Sequence, residues 1–341
     1  MTRYVIIGAG AIGGALGARL AQAGREAVLV ARGDHLRVLQ ESGLRLRTPE
    51  EDVTVPVHAV GGPDELELRA DDVLVLATKT QQAPDALTAW SDAPVHQDGV
   101  VVGTAGERLP ILTALNGVAS ESMALRYFAR VYGVCVWMPA VHLVPGEVIV
   151  RGAPKSGMLH VGRVPAATDA QDARLLAQVR EDWTAARFDV PLPDDVMPWK
   201  YRKLISNLGN VFQALVAGNG DTGPLAARAD AEARAVLDGA GIGYTSDEDE
   251  GAARAAGFTM HAVPGVPSDV GGSTWQSLTR GTGNVETDYL NGEIALIAHR
   301  TGQPAPVNTR LATLARQAAA AGQKPGALSA DELAERLCTT G

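Results

Sequence analysis

The sequence predicts an α/β domain built on a parallel sheet, followed by an all-α domain. Three observations carry this. Short aliphatic runs alternate with helical stretches through the first half of the 341 residues. Apolar residues at helical spacing dominate from about residue 194 onward. A G-x-G-x-x-G run, Gly8-Ala9-Gly10-Ala11-Ile12-Gly13, stands directly between the first strand candidate and the first helix candidate.

The elements follow in order. Tyr4 to Ile7 is a short β-branched run, and a small-residue helix from Ile12 to Ala23 comes after the glycines. Ala27 to Val30 is a second buried strand, with a short helix from Asp34 to Glu41. Val73 to Leu76 is a third, followed by a polar turn and a helix from Pro84 to Trp90. Ile111 to Leu115 forms a further strand that ends at Asn116-Gly117. Continuous apolar strands alternating with helices mark βαβ units whose sheet is covered on both faces. From Val131 to Gly162, β-rich pieces broken by Pro139, Pro145-Gly146 and Pro154 predict an antiparallel extension of the same sheet. Helices are expected over Trp199–Ala217, Leu225–Ala240, Val285–Ala298 and Val307–Ala321, and His261 to Gly272 reads as a loop. The expected division is 1–193 and 194–341.

Composition narrows the function. Thirty Lys plus Arg against 39 Asp plus Glu leave a formal charge of −9, which argues against a nucleic-acid or anionic-membrane surface. With 46% hydrophobic and 20% charged residues, the chain can bury a sizeable core and is not a disordered type. Cys135 and Cys338 make neither a disulfide framework nor a metal-ligand spacing, so no metal is expected. The first apolar run, Val5-Ile6-Ile7, stops at Gly8 and is too short for a signal-peptide core. No stretch reaches the roughly 18 apolar residues of a membrane span, so the expected place is the cytoplasm.

The glycine run predicts a dinucleotide site of the Rossmann type. Gly8 permits the tight turn, Gly10 lets the backbone approach a diphosphate, and Gly13 lets helix pack on strand. The N–H groups at Ala11 and Ile12 then face the anion at the helix N-terminus. After the second strand, Val30-Ala31-Arg32 brings an arginine where an NAD-specific site would carry a carboxylate. An arginine there suits a 2′-phosphate, so the expected cofactor is NADP(H).

On a helix at about 100° per residue, Lys200, Lys203, Asn207 and Asn210 fall within an arc of roughly 80°. Leu204, Leu208, Val211, Phe212 and Leu215 occupy the neighbouring arc and would face the core; Arg202, Ser206 and Gln213 would face solvent. A Lys/Asn stripe at the border of a core is what a cleft wall requires. Reduction of a carbonyl needs a proton donor for the oxygen, and a lysine drawn toward neutrality can supply it.

Taken together, the glycine run, Arg32, Ala77-Thr78-Lys79-Thr80-Gln81-Gln82, Asn116-Gly117-Val118, Trp199 to Asn210 and Ser273 to Gly292 make the chain resemble the ketopantoate reductase family over nearly its whole length. The resemblance implies a Rossmann-type domain joined to a helical one, and NADPH-dependent reduction of a 2-oxo acid. It implies Lys203 as general acid, four residues before Asn207, with Lys200 in reserve. Glu286 would hold the substrate hydroxyl and counter the lysine charge. Lys79, Gln82 and Asn116 would lie near the nicotinamide, Lys79 also near the substrate. Asn207 and Ser273 would hold the substrate, with Asn210 as a substitute for the family's second asparagine; Asn219 is either a third substrate amide or, with Gly220, a plain turn.

The chain departs from the pattern in three places. Val211 stands where the family's second asparagine lies, with Asn210 one residue earlier. One extra residue separates the Ser273-x-x-Gln276 run from the Glu286 block, and Val285 replaces a threonine.

The expected substrate is a small 2-oxo acid, most simply 2-dehydropantoate. The alternatives are a different carbonyl substrate on the same chemistry and a non-catalytic NADP-binding regulator. The regulator predicts erosion of the lysine and glutamate, which Lys203 and Glu286 do not show. A homodimer is compatible with the chain.

Overall fold

The computed structural model describes residues 2–167, 169–218, 220–267, 271–281 and 283–338. The chain forms two compact units. One comprises Met1–Leu115, Ser120–Trp199 and Asp247–Val266; the other comprises Asn116–Ala119, Lys200–Ser246 and Pro267–Gly341. Where the sequence predicts one crossing near residue 193, the chain crosses several times, once inside the Met197–Asn207 helix.

The first unit is built on an eight-stranded sheet. Its six parallel strands are Arg3–Ile7, Glu26–Val30, His58–Val60, Asp72–Leu76, Pro110–Thr113 and Arg130–Trp137. Numbered along the chain, they lie side by side as 3-2-1-4-5-6, the doubly wound Rossmann order. The sequence explains why Arg3–Ile7 is central. All five of its residues are buried, Tyr4 and Ile6 entering one core and Val5 and Ile7 the other, as a strand covered on both faces requires. Its only charged side chain, Arg3, pairs with Asp72 at 2.7 Å. The helix Ala11–Gln22 lies close over the sheet because its face is small: a Cβ at Gly17 would stand 2.4 Å from the Leu29 side chain.

The expected antiparallel extension is present only in part. Gly157–Val164 pairs antiparallel with Arg130–Trp137 in the main sheet. Ala140–Val141 and Glu147–Val150 instead join Leu44–Arg47 and Asp52–Val55 in a separate four-stranded sheet. The reason is packing: Val148 and Leu44 both bury against Gly14 on the first helix, a surface the main sheet does not offer them.

The helix Asp247–Gly257 and the strand Thr259–Met260 escaped the sequence reading. Their composition is acidic and alanine-rich, with little apolar periodicity. They belong to the first unit, where Met260 pairs with Gly152 and Arg254 lies 4.7 Å from the ring centroid of Trp137.

The second unit is helical. Gly223–Gly239, Asn291–Thr301 and Pro306–Ala320 pack around Ala229, Leu225, Leu311, Leu314 and Ala315. Glu232 accepts from the N–H groups of Val307 (2.9 Å) and Asn308 (2.8 Å), placing a carboxylate on the positive end of a helix. Among the described residues no helix is long and apolar enough to cross a membrane.

Candidate functional site

In the first unit the strand register aligns three carboxyl ends. Ile7 lies opposite both Val30 and Leu76, so Gly8, Ala31-Arg32 and Ala77-Thr78-Lys79 leave the sheet at one edge, where the strand order reverses.

Gly8 has φ +106°, a conformation glycine takes without strain, and a Cβ there would stand 2.9 Å from the Thr78 nitrogen. A Cβ at Gly13 would stand 2.1 Å from the Gly8 carbonyl oxygen. Gly10 is different: a Cβ there meets nothing within 4 Å. The fold does not need glycine at that position, whereas a diphosphate laid against the backbone does.

The N–H groups can be accounted for one by one. Gly8 and Ala9 both donate to the Val30 carbonyl, at 3.1 and 2.9 Å, and Gly14 donates to Gly10 at 2.8 Å. The first N–H groups of the helix, from Ala11, have no intrahelical acceptor and suit an anion. These residues fit a dinucleotide.

Arg32 caps the start of the Gly33–Ser42 helix. It is exposed and makes no ion pair or side-chain hydrogen bond among the described residues. Asp34, the nearest following carboxylate, faces Arg37 at 3.6 Å. Lys79 is half-buried and opens a short 3-10 turn, Thr80–Gln82, whose Gln82 is exposed.

In the second unit the structure brings several expected residues together. Asn207 Nδ2 donates to Asn116 Oδ1 at 3.4 Å. The Asn116-Gly117 turn lies on the Glu286–Tyr289 segment: Gly117 has φ +74°, and a Cβ there would stand 2.6 Å from the Tyr289 carbonyl oxygen. Glu286 is buried, and its charge acts on Arg280 at the end of the Ser273–Arg280 helix. Lys203 is half-buried, while Lys200 is only 2% exposed. Asn219 lies outside the described residues.

The single helix expected over Trp199–Ala217 is two. Met197–Asn207 ends in a tightened turn, Leu208 N–H donating to Ile205 at 3.1 Å, and Asn210–Leu215 begins after Gly209. A straight-helix projection therefore does not hold beyond Asn207. Asn210 is set beside Gly272, where a Cβ would stand 2.9 Å from its Oδ1, at the entry to Ser273. The expected solvent face holds in part. Ser206 and Gln213 are exposed as expected, but Arg202 is half-buried. The helix expected from Val285 is likewise split, into the 3-10 segment Glu286–Tyr289 and the helix Asn291–Thr301.

Comparison with known proteins agrees with the two-part architecture. The family model described as "Ketopantoate reductase PanE/ApbA" matches residues 4–166, and the one described as "Ketopantoate reductase PanE/ApbA C terminal" matches residues 195–319. The chain belongs to the ketopantoate reductase family. It is an oxidoreductase of that family. A 2-dehydropantoate 2-reductase of Mesorhizobium japonicum is 29% identical, across 93% of this chain and 98% of its own. One of Archaeoglobus fulgidus is 26% identical, across 92% and 97%. The crystal structure of a family ketopantoate reductase from Ralstonia eutropha superposes with a TM-score of 0.73 at 26% identity, covering 94% of this chain and 99% of that one. A D-mandelate dehydrogenase solved with NADH and anilino(oxo)acetate shares the fold at 21% identity, with a TM-score of 0.73 over 94% and 99% of the chains.

Within this ketopantoate reductase family member, the structure adds Thr78, Thr274 and Thr287 to the expected Ser273. Thr78 Oγ1 is buried beside Gly8 without a hydrogen-bond partner among the described residues, and so is Ser273 Oγ at the start of its helix. The hydroxyls of Thr274 and Thr287 share that state. Hydroxyls left unbonded in a folded interior are costly unless a ligand or water completes them. The signal for Thr78 was its place just past a strand end; nothing in the sequence marks Thr287.

Proposed function

We propose that the chain reduces a 2-oxo acid with NADPH, most simply 2-dehydropantoate to pantoate. The observation that carries this reading is the convergence of Asn116, Asn207 and the Glu286 segment in one unit, with Lys203 on the same helix as Asn207. A reduced nicotinamide bound in the glycine cradle would supply hydride. The amides of Asn207 and Asn116 offer donors to the substrate's oxygens, and the Ser273 hydroxyl offers another. Lys203 gives its proton to the oxygen that becomes the alcohol, and Glu286 holds a substrate hydroxyl while balancing the lysine charge. NADPH oxidation measured against a panel of 2-oxo acids tests the reading: turnover of 2-dehydropantoate above the rest supports it. Cofactor binding without turnover of any 2-oxo acid overturns it.

A second reading keeps the chemistry and changes the substrate. The helix break at Leu208-Gly209 favours it, because Asn210 then lies against Gly272 instead of continuing the Lys203–Asn207 face. Preference for a different carbonyl compound within the same panel would select it.

Arg32 is the residue we assign to the 2′-phosphate. Arg32→Ala is expected to raise the dissociation constant for NADPH about thirtyfold, the size of a charge-assisted hydrogen bond. NADH, which lacks that phosphate, is expected to bind within about twofold of the unaltered chain. Fluorescence titration with both cofactors reads this, and equal losses would remove Arg32 from the role.

A further inference from the structure

We infer that His35 is a positioning residue for the dinucleotide turn, holding it through a neutral imidazole of one tautomer. The inference rests on the cofactor reading of the glycine cradle. His35 stands on the Gly33–Ser42 helix and bridges two elements far apart in sequence. Gly146 N–H donates to His35 Nδ1 at 2.8 Å, and Nε2 lies 2.8 Å from the Ala9 carbonyl oxygen. An Nδ1 that accepts carries no proton, so the proton is on Nε2 and is donated to Ala9.

Ala9 is the second residue of the glycine run. Its N–H is already bound to Val30, and His35 takes its carbonyl. With both polar groups of Ala9 tied down, the turn presents N–H groups from the start of the Ala11–Gln22 helix toward the anion site. A carbonyl released from His35 would be a negative dipole free to swing beside a diphosphate, working against the cradle.

The other end of the bridge is braced as well. Gly146 has φ +77°, and a Cβ there would stand 2.2 Å from Val38 Cγ1 on the same helix as His35. The ring of His142 packs on His35 with centroids 4.4 Å apart, and His142 Nδ1 lies 3.0 Å from the Glu147 carbonyl oxygen.

The groups facing His35 define its titration. The glycine turn contributes a backbone carbonyl. The segment before Glu147 contributes the Gly146 N–H and the His142 ring. The Glu147 carboxylate is engaged by Arg45 at 3.0 Å, and on the helix itself Asp34 faces Arg37. Burial holds the His35 pKa below its ordinary value, against the Ala9 hydrogen bond, which raises it. The neutral ring is the bonded form, so the hold on the turn is complete above the ordinary histidine range. As pH falls, Nδ1 gains a proton that confronts the Gly146 N–H, so the bridge loses its brace at that end while Nε2–H still donates to Ala9.

Cofactor titrations of His35→Ala and His35→Gln test this. His35→Ala is expected to weaken NADH and NADPH alike by about tenfold, one net hydrogen bond, because the diphosphate is common to both. Turnover at saturating cofactor is expected to stay within about twofold. His35→Gln keeps an amide donor for Ala9 and is expected to recover most of the affinity. NADH carries no 2′-phosphate to titrate, so its affinity across about pH 5 to 8 isolates the ring. It should weaken in acid for the unaltered chain and stay flat in His35→Gln.

Nitrogen-15 spectra of the histidines give a reading that does not depend on folding of a variant: a deprotonated Nδ1 on His35 supports the inference, and a protonated one overturns it. His35→Ala binding both cofactors like the unaltered chain also overturns it, leaving the cradle reading intact. Failure of the unaltered chain to bind either cofactor overturns the cradle reading, and this inference with it.

Discussion

Lys203→Ala is expected to lower kcat about a thousandfold while the KM for the cofactor stays within about twofold. The size follows from the role: a positioned general acid contributes roughly 10²- to 10⁴-fold, and removing it leaves the alkoxide to be protonated by water. The selectivity follows from the structure. Lys203 belongs to the second unit, and the glycine cradle, Arg32 and Thr78 belong to the first. Its side chain is half-buried, so truncation leaves no large cavity and melting should shift little.

Lys200→Ala is the necessary companion. Lys200 is buried at 2% exposure, so its removal should reduce stability, and turnover of the folded fraction should remain near normal. Steady-state kinetics with thermal melts on both variants separates the two. A Lys203→Ala enzyme that keeps its kcat, beside a folded Lys200→Ala enzyme that loses it, would exchange the assignments.

How far the sequence could be read depended on whether the signal was local. The Arg3–Ile7 strand, the glycine turn and the Ala11–Gln22 helix were legible because each is fixed by neighbours within a few residues: an apolar run, a φ only glycine tolerates, small residues at the helix face. The four-stranded sheet was not, because Glu147–Val150 leaves the main sheet to pair with Leu44–Arg47 about a hundred residues earlier, and nothing local encodes that choice. Asp247–Gly257 was missed for a related reason: its few buried contacts, such as Gly257 on Met158, give no apolar period.

The candidate site shows the same division. Asn207 and Asn116 were each nameable from a short run, but their hydrogen bond spans 91 positions. The helix break at Leu208-Gly209 has a physical cause in the tightened turn at Ile205, and a periodicity argument, which assumes one straight axis, cannot register it. His35 was passed over because its two bonds, to Ala9 and Gly146, are both tertiary.

Gly10→Ala and Gly13→Ala are expected to disable the same turn by different routes, and the contrast tests what the glycines are for. Gly13 is fixed by packing. Its Cβ would stand 2.1 Å from the Gly8 carbonyl oxygen and 2.9 Å from Ile6 Cγ2, one a backbone atom and the other a side chain fully buried in the core. Neither can move without parting the helix from the strand, so about 3 kcal/mol of overpacking is expected, a fall in Tm of about 10 °C. Gly10 has φ −71° in an extended conformation, outside the left-handed region that excludes alanine, and its Cβ meets nothing within 4 Å. Gly10→Ala should therefore melt within a few degrees of the unaltered chain. Its methyl group would fill the space that the diphosphate needs, so the dissociation constants for NADPH and NADH should both rise about a hundredfold. Calorimetry and cofactor titration on the two variants separate the two routes, and loss of stability in Gly13→Ala beside loss of affinity in Gly10→Ala is the expectation. A Gly10→Ala protein that binds both cofactors normally would show that the backbone at residue 10 does not approach the diphosphate, and the cradle would have to be placed elsewhere along that sheet edge.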